Sequence, residues 1–392
     1  MKLAVAALVL TSAMRATADE PRPSSCVIAT DKQVPVKAGP GRIVSCGLDL
    51  GSRSVKLSVV SMEKGQPKTI REERICKRTL GMGALVFDSK TGTARPLPSD
   101  AVGPLVSTIN EYKEMCTRDG GTIVAAGATQ WARDATNIAD VAARVKEATG
   151  IRFDVLSPMQ EAAYSYVAGS VLTPGRIVLD PGSNSFQLSW QEKGSTTIAS
   201  ILVPFGYVRA AANDFEPASD YASARAAYQR RARAAIEQEL GRLSPPLTLA
   251  RLRGLVGKGE IGPELIAVGE DGAVVPLVVR GWLRDGSGGW TADAKRYDAA
   301  LNGHRTTDRS FGLMTAPPLS PAEVQSYLGG MGPGDFKALT SEPVRGMYGQ
   351  KALVTPALAE LLLRELGASR LVTVPQEVTT GHILTALRSD VR

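Results

Sequence analysis

The sequence predicts an α/β protein made of two domains. From residue 43 to residue 188, apolar runs of strand length alternate with helical segments, and this succession is typical of α/β folds. One strand–turn–strand pattern occurs twice, first as 46-CGLDLGSRSVKL-57 and again 131 residues later as 177-IVLDPGSNSFQL-188. A chain of 392 residues is long enough for two domains of ordinary size. We therefore expect one domain over 43–168 and a second over 169–392, whose C-terminal part is more helical.

The N-terminus predicts export. Lys2 precedes the apolar run 3-LAVAALVL-10, and 16-ATA-18 offers small residues for cleavage, so residues 1–18 read as a signal peptide cut after Ala18. A membrane anchor is the alternative, but the run is too short to span a bilayer, and we expect no membrane span in the mature chain. The following stretch, 19–42, is rich in Pro, Gly and Ser and predicts an extended lead-in. The expected location is the periplasm.

The four cysteines fit an oxidising compartment. They are even in number, widely spaced and confined to the first third of the chain, which favours disulfides over a metal knuckle. Four cysteines allow three pairings. We expect Cys26–Cys46 and Cys76–Cys116, because each closes a local loop, and four buried thiols are the alternative.

Individual elements follow from periodicity and turn residues. Strand 54–61 alternates, so Val55, Leu57 and Val59 are expected on one face and Ser54, Lys56 and Ser58 on the other. Residues 256–350 are rich in Gly and Pro with weak periodicity, and their elements are not predicted. Strands are expected over about 43–50, 54–61, 122–129, 151–157 and 370–374, and helices over about 100–118, 136–149 (ended by Gly150), 159–170, 219–242 and 356–367.

Composition excludes several classes of function. Aromatic residues make up only 5% of the chain, so a base-stacking nucleic-acid surface is not expected. The formal charge of +7 falls to +5 once Lys2 and Arg15 leave with the signal peptide, which suits a polyanion without naming one. The chain has only two histidines, His304 and His382, which argues against a Ser-His triad or a His-rich zinc site. Neither a GxxxxGK[ST] loop nor a GxGxxG turn after a strand is present.

A basic helix has two interpretations. The segment 219–242 carries Arg225, Arg230, Arg231 and Arg233. Such a face is usually solvated, and the alternative is one wall of a groove for a long anion.

The repeated hairpin predicts a phosphate site. A tight turn of Gly and Ser points backbone N–H groups and hydroxyls toward one place, which suits phosphate oxygens. The Asp at the end of each preceding strand suits a hydrated divalent cation or a water molecule. Two such hairpins facing each other would hold one phosphoryl group from both sides of a cleft.

These motifs resemble the exopolyphosphatase/guanosine pentaphosphatase (Ppx/GppA) family, whose fold is that of actin, sugar kinases and Hsp70. The first hairpin, 49-DLGSRSVKL-57, is similar to the family's DxGSNSxRL, and 128-ATQWARDATN-137 is similar to its ATxALRxAxN. The second hairpin, 180-DPGSNSFQL-188, takes the place of DxGGGSxEL, and 203-VPFGYVRA-210 matches the loop after it. The resemblance covers about 42–385 and implies two actin-like (ribonuclease H-like) domains with an interdomain cleft.

The resemblance also implies a reaction and its residues. Family members hydrolyse terminal phosphoanhydride bonds with a divalent cation, usually Mg²⁺. Glu161 falls on the carboxylate that orients or deprotonates water, and Asp180 on the metal-linked catalytic aspartate. Asp49 and Gln187 join Asp180 as expected metal ligands. The expected phosphate-binding residues are Gly51, Ser52, Arg53, Ser54, Lys56, Arg133, Gly182, Ser183, Asn184 and Ser185.

The chain departs from the family where the chemistry lies. Ser183 and Asn184 replace two glycines of the second turn, and Pro181 enters it. Gln187 and Gln160 replace glutamates, which would remove two carboxylates from the metal and water site.

Each functional residue also has a structural alternative. Arg133 could pair with Asp134 or Asp140, and Glu161 could compensate a helix dipole. Asp49 and Asp180 could cap turns.

Three hypotheses follow. The first is an exported phosphoanhydride hydrolase acting on inorganic polyphosphate or a similar phosphate-rich anion. The second is a catalytically impaired module that binds such an anion, and the third, an actin-like ATPase or sugar kinase, lacks an adenosine signature. A homodimer is left open.

Overall fold

The computed structural model describes residues 25–28, 41–88, 93–171, 175–293, 295–297, 300, 317–374 and 378–389. The predicted signal peptide and most of the predicted lead-in lie outside these residues. None of the described helices combines the length and the apolar character that crossing a bilayer requires.

The described elements alternate as an α/β fold requires. The strands are β1 Ser25–Ile28, β2 Arg42–Leu50, β3 Ser54–Glu63, β4 Gln66–Thr79, β5 Phe87–Asp88, β6 Thr93–Ala94, β7 Thr122–Ala128, β8 Asp154–Val155, β9 Ile177–Pro181, β10 Phe186–Trp190, β11 Ala199–Val203, β12 Glu264–Val268 and β13 Arg370–Val374. The helices are α1 Met82–Val86, α2 Ser99–Arg118, α3 Gln130–Asp134, α4 Ile138–Thr149, α5 Pro158–Ser170, α6 Tyr207–Ala210, α7 Tyr221–Gly241, α8 Leu249–Gly257, α9 Gly269–Val279, α10 Pro321–Gly329, α11 Pro333–Thr340, α12 Gln350–Leu366 and α13 Val378–Ser389. Two π-helical turns, Ala211–Phe215 and Arg345–Gly349, extend α6 and precede α12.

Two mixed sheets share one strand order. The first runs β1-β4-β3-β2-β7-β8 and the second β11-β10-β9-β12-β13. Without β1, each sheet has an antiparallel hairpin, β2–β3 or β9–β10, whose first strand pairs in parallel with a later strand, β7 or β12. The repeat seen in the sequence is therefore a repeat of half the molecule, and the predicted α/β class is confirmed.

Local residues set the helix ends near the site. Gly150 ends α4 with φ of 73°, a left-handed conformation that glycine adopts at little cost. Ser157 caps α5, with Pro158 in the first turn. Gly367 ends α12 in the same way as Gly150 ends α4, with φ of 65°. Most predicted elements are observed, although the predicted strand 151–157 is reduced to the two residues of β8.

Strand β3 is buried on both faces, including the face that carries Ser54, Lys56 and Ser58. Ser58 is fully buried. It pairs with Gly47 of β2, where a side chain would lie 2.6 Å from Thr379 and 2.8 Å from Ile383 of α13. Helix α13 thus covers this face of the sheet.

The apolar core has three parts. One lies within each sheet-bearing half, and the third lies between them. This third cluster joins Val60 and Ala125 of the first sheet to Val178 and Ile266 of the second, together with residues of α5 and α13. Helix α13, from the end of the chain, packs on α5, β7 and β2. The division at residue 168 stays a prediction.

The disulfide pairing predicted from the sequence is wrong. The structure pairs Cys26 with Cys76 and Cys46 with Cys116. Strand β1 lies beside β4, which makes Cys26 and Cys76 direct cross-strand neighbours. The expectation rested on closing short loops, whereas strand order, which is non-local, decides which cysteines meet.

Candidate active site

The two hairpins are equivalent residue by residue. Asp49 of β2 faces Lys56 of β3, and Asp180 of β9 faces Gln187 of β10 in the same register. Gly51 and Gly182 begin the two turns.

Both turns require glycine at this first position. A Cβ on Gly51 would lie 2.9 Å from the carbonyl oxygen of Ser54, and one on Gly182 would lie 2.6 Å from that of Ser185. Because real Cβ atoms do not approach that closely, both turns can tighten only around glycine.

The first turn is held against two short helices. Gly51 N–H donates to the Ser54 carbonyl at 3.0 Å and closes the turn. The Ser52 hydroxyl accepts from Trp131 N–H of α3 at 3.2 Å, and the Ser52 carbonyl accepts from Gly83 N–H of α1 at 2.7 Å. Arg53 at the tip is exposed. The turn is therefore fixed while its cation extends toward solvent.

The second turn is held by the start of α6. The N–H groups of Gly206, Tyr207 and Val208 donate to the carbonyls of Asn184, Gly182 and Ser183 at 2.9, 3.2 and 3.0 Å. A Cβ on Gly206 would collide with the Ser183 backbone. The segment 203–210, which follows the second hairpin in the sequence, thus holds the turn of that hairpin in place.

Arg133 joins α3 to α5. Its Nη1 donates to the Leu156 carbonyl at 2.5 Å and to Glu161 Oε2 at 3.2 Å, and its Nη2 donates to Gln130 Oε1 at 2.8 Å. Asp134 instead accepts from the Gln130 side chain. The alternative pairing of Arg133 with a neighbouring aspartate is therefore wrong.

Glu161 and Gln160 serve different purposes, although they are adjacent. Glu161 lies in the first turn of α5 and is mostly buried, so burial raises its pKa while Arg133 lowers it again in part. Gln160 forms a capping box with Ser157, in which Gln160 N–H donates to the Ser157 hydroxyl and Ser157 N–H donates to Gln160 Oε1. The expectation that Gln160 removes a carboxylate from the site is wrong, because its side chain caps the helix.

Asp180 is a partly buried acid with an unusual pKa. Burial is the main cause and raises the pKa to about 7, Ser165 opposes it by donating a hydrogen bond, and the charges of Glu161 and Asp271 raise it further. Asp49 is paired with a cation, since Lys56 Nζ lies 3.9 Å from its Oδ2. Gln187 is buried beside Asp180.

One cleft of about 200 Å³ contains every site residue expected from the sequence. Both sheets contribute to it. The expected residues that line it are Asp49, Gly51, Ser52, Arg53, Ser54, Lys56, Arg133, Glu161, Asp180, Gly182, Ser183, Asn184, Ser185 and Gln187. None of the four arginines singled out on α7 is among the lining residues, and two of them pair with Asp214 and Glu365, which favours the solvated interpretation of that helix.

The sequence missed several lining residues. They are Lys77, Thr129, Gln130, Tyr207, Val268, Gly269, Glu270, Asp271, Lys351 and Val378. Gly269, Glu270 and Asp271 follow the buried strand β12, where α9 begins. Because ligand sites of α/β sheets lie at the carboxyl ends of strands, this position could have been predicted from the sequence. Lys77 and Lys351 carried no local signal.

The donor set suits a magnesium ion held only in part by protein. The described residues contain no group of three or more His, Cys, Asp or Glu side chains arranged to hold a metal. Mg²⁺ usually takes one or two carboxylates, with waters and substrate phosphates completing its shell. Asp180 and Asp49 offer two carboxylates, and the pKa of Asp180 is raised mainly by burial and further by the charges of Glu161 and Asp271, a cost that a bound cation would offset.

Comparison with known proteins gives the same family as the motifs. The model of the Ppx/GppA phosphatase family matches residues 59–263. Exopolyphosphatase 1 of Mycobacterium leprae (strain TN) is 35% identical over 146 residues, 36% of this chain and 41% of that protein. Exopolyphosphatase 1 of Mycobacterium bovis (strain ATCC BAA-935 / AF2122/97) is 32% identical over 146 residues, 36% of this chain and 40% of that protein. The chain spans about two fifths of the length of these curated relatives.

Solved structures agree on the fold. The crystal structure of the Aquifex aeolicus Ppx/GppA family member gives a TM-score of 0.63 at 16% identity and covers 90% of this chain and 99% of that one. An exopolyphosphatase from Cytophaga hutchinsonii ATCC 33406 gives 0.58 at 14% identity, with 89% and 98% covered. At such identities the likeness concerns the fold alone.

The matched sheets and the cleft between them define a two-domain α/β protein of the actin-like fold, as the resemblance implied. Both halves contribute a Gly–Ser hairpin to one cleft, and the family model covers about half of the chain. The chain belongs to the Ppx/GppA phosphatase family.

Proposed function

We propose that the protein is a phosphoanhydride hydrolase that releases terminal orthophosphate from inorganic polyphosphate. The observation that carries this proposal is the convergence of both hairpins, Arg133 and Glu161 on one cleft. Names of relatives add weight, because two of them are called exopolyphosphatase 1.

The terminal phosphoryl group binds between the two turns. Backbone N–H groups and the hydroxyls of Ser52, Ser54 and Ser185 face its oxygens, and Arg133 neutralises charge on one of them. Water attacks the terminal phosphorus and its proton passes to Glu161. The bridging P–O bond breaks, its electron pair stays on the shortened chain, and orthophosphate leaves.

The burial of Glu161 and its contact with Arg133 support the role of base. Its mostly buried carboxylate has a raised pKa, which brings a carboxylate closer to the range in which it accepts a proton from water. Arg133 holds the carboxylate in one orientation at 3.2 Å.

Magnesium is the proposed cofactor. Asp180 and Asp49 would hold the ion, with Gln187 accepting a hydrogen bond from its water shell. When bound, the ion would neutralise phosphoryl oxygens and offset the charge on Asp180. Removal of divalent cations with EDTA should abolish activity, and added Mg²⁺ should restore it.

Export is part of the proposal. The predicted signal peptide supports it, and so do the two disulfides that pair all four cysteines. Polyphosphate is preferred over guanosine pentaphosphate as substrate because the latter is an intracellular signal. N-terminal sequencing of the periplasmic fraction should begin at Asp19, and retention of residues 1–18 would contradict cleavage. A homodimer and the absence of a nucleic-acid surface stay predictions.

An impaired binding module is the second candidate, favoured by one observation. Gln187 occupies a buried position beside Asp180 where the family has a glutamate, so the metal site has one carboxylate fewer. Phosphate release from polyphosphate, guanosine pentaphosphate and ATP, each with Mg²⁺, separates the candidates. Hydrolysis of polyphosphate in preference to the others supports the hydrolase, whereas calorimetric binding without release supports the module.

A further inference from the structure

Glu270 joins the two halves of the molecule at the cleft. It stands in the first turn of α9, directly after β12. Lys351 Nζ of α12 lies 3.0 Å from its Oε1, and Lys77 Nζ of β4 lies 3.0 Å from its Oε2. Tyr297 also donates its hydroxyl to Oε1, at 3.3 Å. One carboxylate therefore binds a lysine from its own half and a lysine from the opposite half.

The two lysines differ in how firmly they are held. The Lys351 side chain is only 8% exposed, its Nζ lies 2.5 Å from Asp271, and it also sits 5.6 Å from the Tyr207 ring centroid. Burial lowers the pKa of Lys351, but Asp271 and Glu270 more than offset this, so the side chain stays charged. Lys77 is 33% exposed. An ion pair is weaker where water reaches it, so a competing anion can displace Glu270 from the part-buried Lys77 more readily than from the buried Lys351.

Lys77 belongs to a row of charged side chains that starts at the first hairpin. Asp49, Lys56 and Lys77 are cross-strand partners on the adjacent strands β2, β3 and β4. Neighbouring positions in such a row have Cβ atoms about 5 Å apart. Lys77 therefore lies one strand farther than Lys56 from the residues that hold the terminal phosphoryl group.

The second hairpin offers no cation at the matching place. There Gln187 pairs with Leu202 of β11 where Lys56 pairs with Lys77. The duplicated halves are thus unequal at this point, because the row that carries Lys56 and Lys77 in the first half carries Gln187 and Leu202 in the second.

We propose that Lys77 binds the second phosphoryl group of the substrate and that the Lys77–Glu270 ion pair exists only while the cleft is empty. This rests on the proposed function. Glu270 holds Lys77 in place before substrate arrives. When polyphosphate binds, its second phosphoryl group replaces Glu270 as the partner of Lys77. Lys77 then sets a preference for polyphosphate over single phosphates, and Glu270 moderates that preference by competing for Lys77.

The test is a binding cycle with inorganic tripolyphosphate and orthophosphate. Calorimetry is done with Mg²⁺ on Glu161→Gln, which blocks turnover, and on the same protein carrying Lys77→Gln, Glu270→Gln or both. Lys77→Gln should weaken tripolyphosphate binding about tenfold, as expected for loss of a charge-assisted hydrogen bond, and leave orthophosphate within about twofold. Glu270→Gln should tighten tripolyphosphate binding by roughly fivefold, which corresponds to the upper end of the range for ion pairs that water reaches.

A matched control separates release of Lys77 from general loss of negative charge. Asp271→Asn removes the same charge one residue further on and leaves the Lys77–Glu270 pair in place. Glu270→Gln should tighten tripolyphosphate binding more than Asp271→Asn does, and this difference should vanish when Lys77→Gln is present. Thermal melting of each variant confirms that it is folded.

Three outcomes would overturn the proposal. Glu270→Gln could weaken tripolyphosphate binding, it could act equally with and without Lys77, or Lys77→Gln could weaken both ligands alike. If Glu270→Gln does not fold, the ligand discrimination of Lys77→Gln alone decides. If the protein carrying only Glu161→Gln binds neither tripolyphosphate nor orthophosphate, the proposed function fails as well. If it binds tripolyphosphate but the Lys77 and Glu270 variants give one of these three outcomes, only the role of Lys77 is contradicted.

Discussion

Arg133 Nη1 lies 3.2 Å from Glu161 Oε2 and ties the helix after β7 to the helix after β8. The same guanidinium binds the Leu156 carbonyl and Gln130. Because a planar guanidinium can serve all three partners at once, it fixes the carboxylate relative to the first hairpin.

Arg133→Lys should lower kcat for polyphosphate by roughly 10- to 100-fold, because one ammonium group cannot satisfy three partners in the guanidinium's geometry. Steady-state phosphate release measures the effect. Arg152→Lys is the matched control, since the Arg152 side chain is 81% exposed and does not line the cleft. Equal effects at the two positions would contradict the assigned role.

Gln160→Glu should leave activity unchanged, although it restores the family's residue. The side chain at this position closes the capping box with Ser157, and glutamate fits the same box. Gln160→Ala should cost up to about 1 kcal/mol of unfolding free energy without altering kcat. Denaturant titration and phosphate release measure the two effects. A clear gain in kcat for Gln160→Glu would mean that the side chain reaches the reacting groups.

Gln187→Glu should strengthen the response to magnesium. It places a carboxylate at a buried position opposite Asp180, which destabilises the protein without a cation and favours binding of one. Melting temperatures with EDTA and with Mg²⁺ should differ more in this variant than in the wild type. Gln191→Glu, just beyond β10 and outside the cleft, is the control and should show no extra shift. An equal Mg²⁺ response in all three proteins would place the ion elsewhere.

Asp180→Asn should stabilise the metal-free protein at high pH. The folded-state pKa of Asp180 is raised from 3.8 to about 7, so the folded protein binds this proton more tightly than the unfolded chain. Stability is therefore lost as pH rises from about 4 to about 7, by on the order of 4 kcal/mol at most. Asn mimics the neutral acid and escapes this loss. Unfolding at pH 4.5 and pH 8 in EDTA measures it, and a difference that grows toward low pH would contradict the raised pKa.

Non-reducing peptide maps should show Cys26 linked to Cys76 and Cys46 linked to Cys116. Each bridge closes a loop of 50 or 70 residues, and each should contribute about 4 kcal/mol by restricting the unfolded chain. Reduction should lower the midpoint of unfolding accordingly. A map that links Cys26 to Cys46 would contradict the observed strand order.

What could be predicted from the sequence was local. The turns at Gly51 and Gly182 are set by residues within four positions, and both were found. Gln160 was misread even though Ser157 precedes it by three residues, a spacing that signals a capping box. The partners Lys77, Glu270 and Lys351 lie far apart along the chain and meet only through sheet order and helix packing, so no local pattern could reveal them. The disulfide pairing failed for the same reason.

The most direct test is orthophosphate release from inorganic polyphosphate by the purified chain with Mg²⁺, beside Glu161→Gln and Gln160→Ala. The wild type and Gln160→Ala should release phosphate at similar rates, and Glu161→Gln should fall by about 10²- to 10⁴-fold, the usual contribution of a general base. Release that is absent from the wild type, or unchanged in Glu161→Gln, would contradict water activation by Glu161 between the two hairpins.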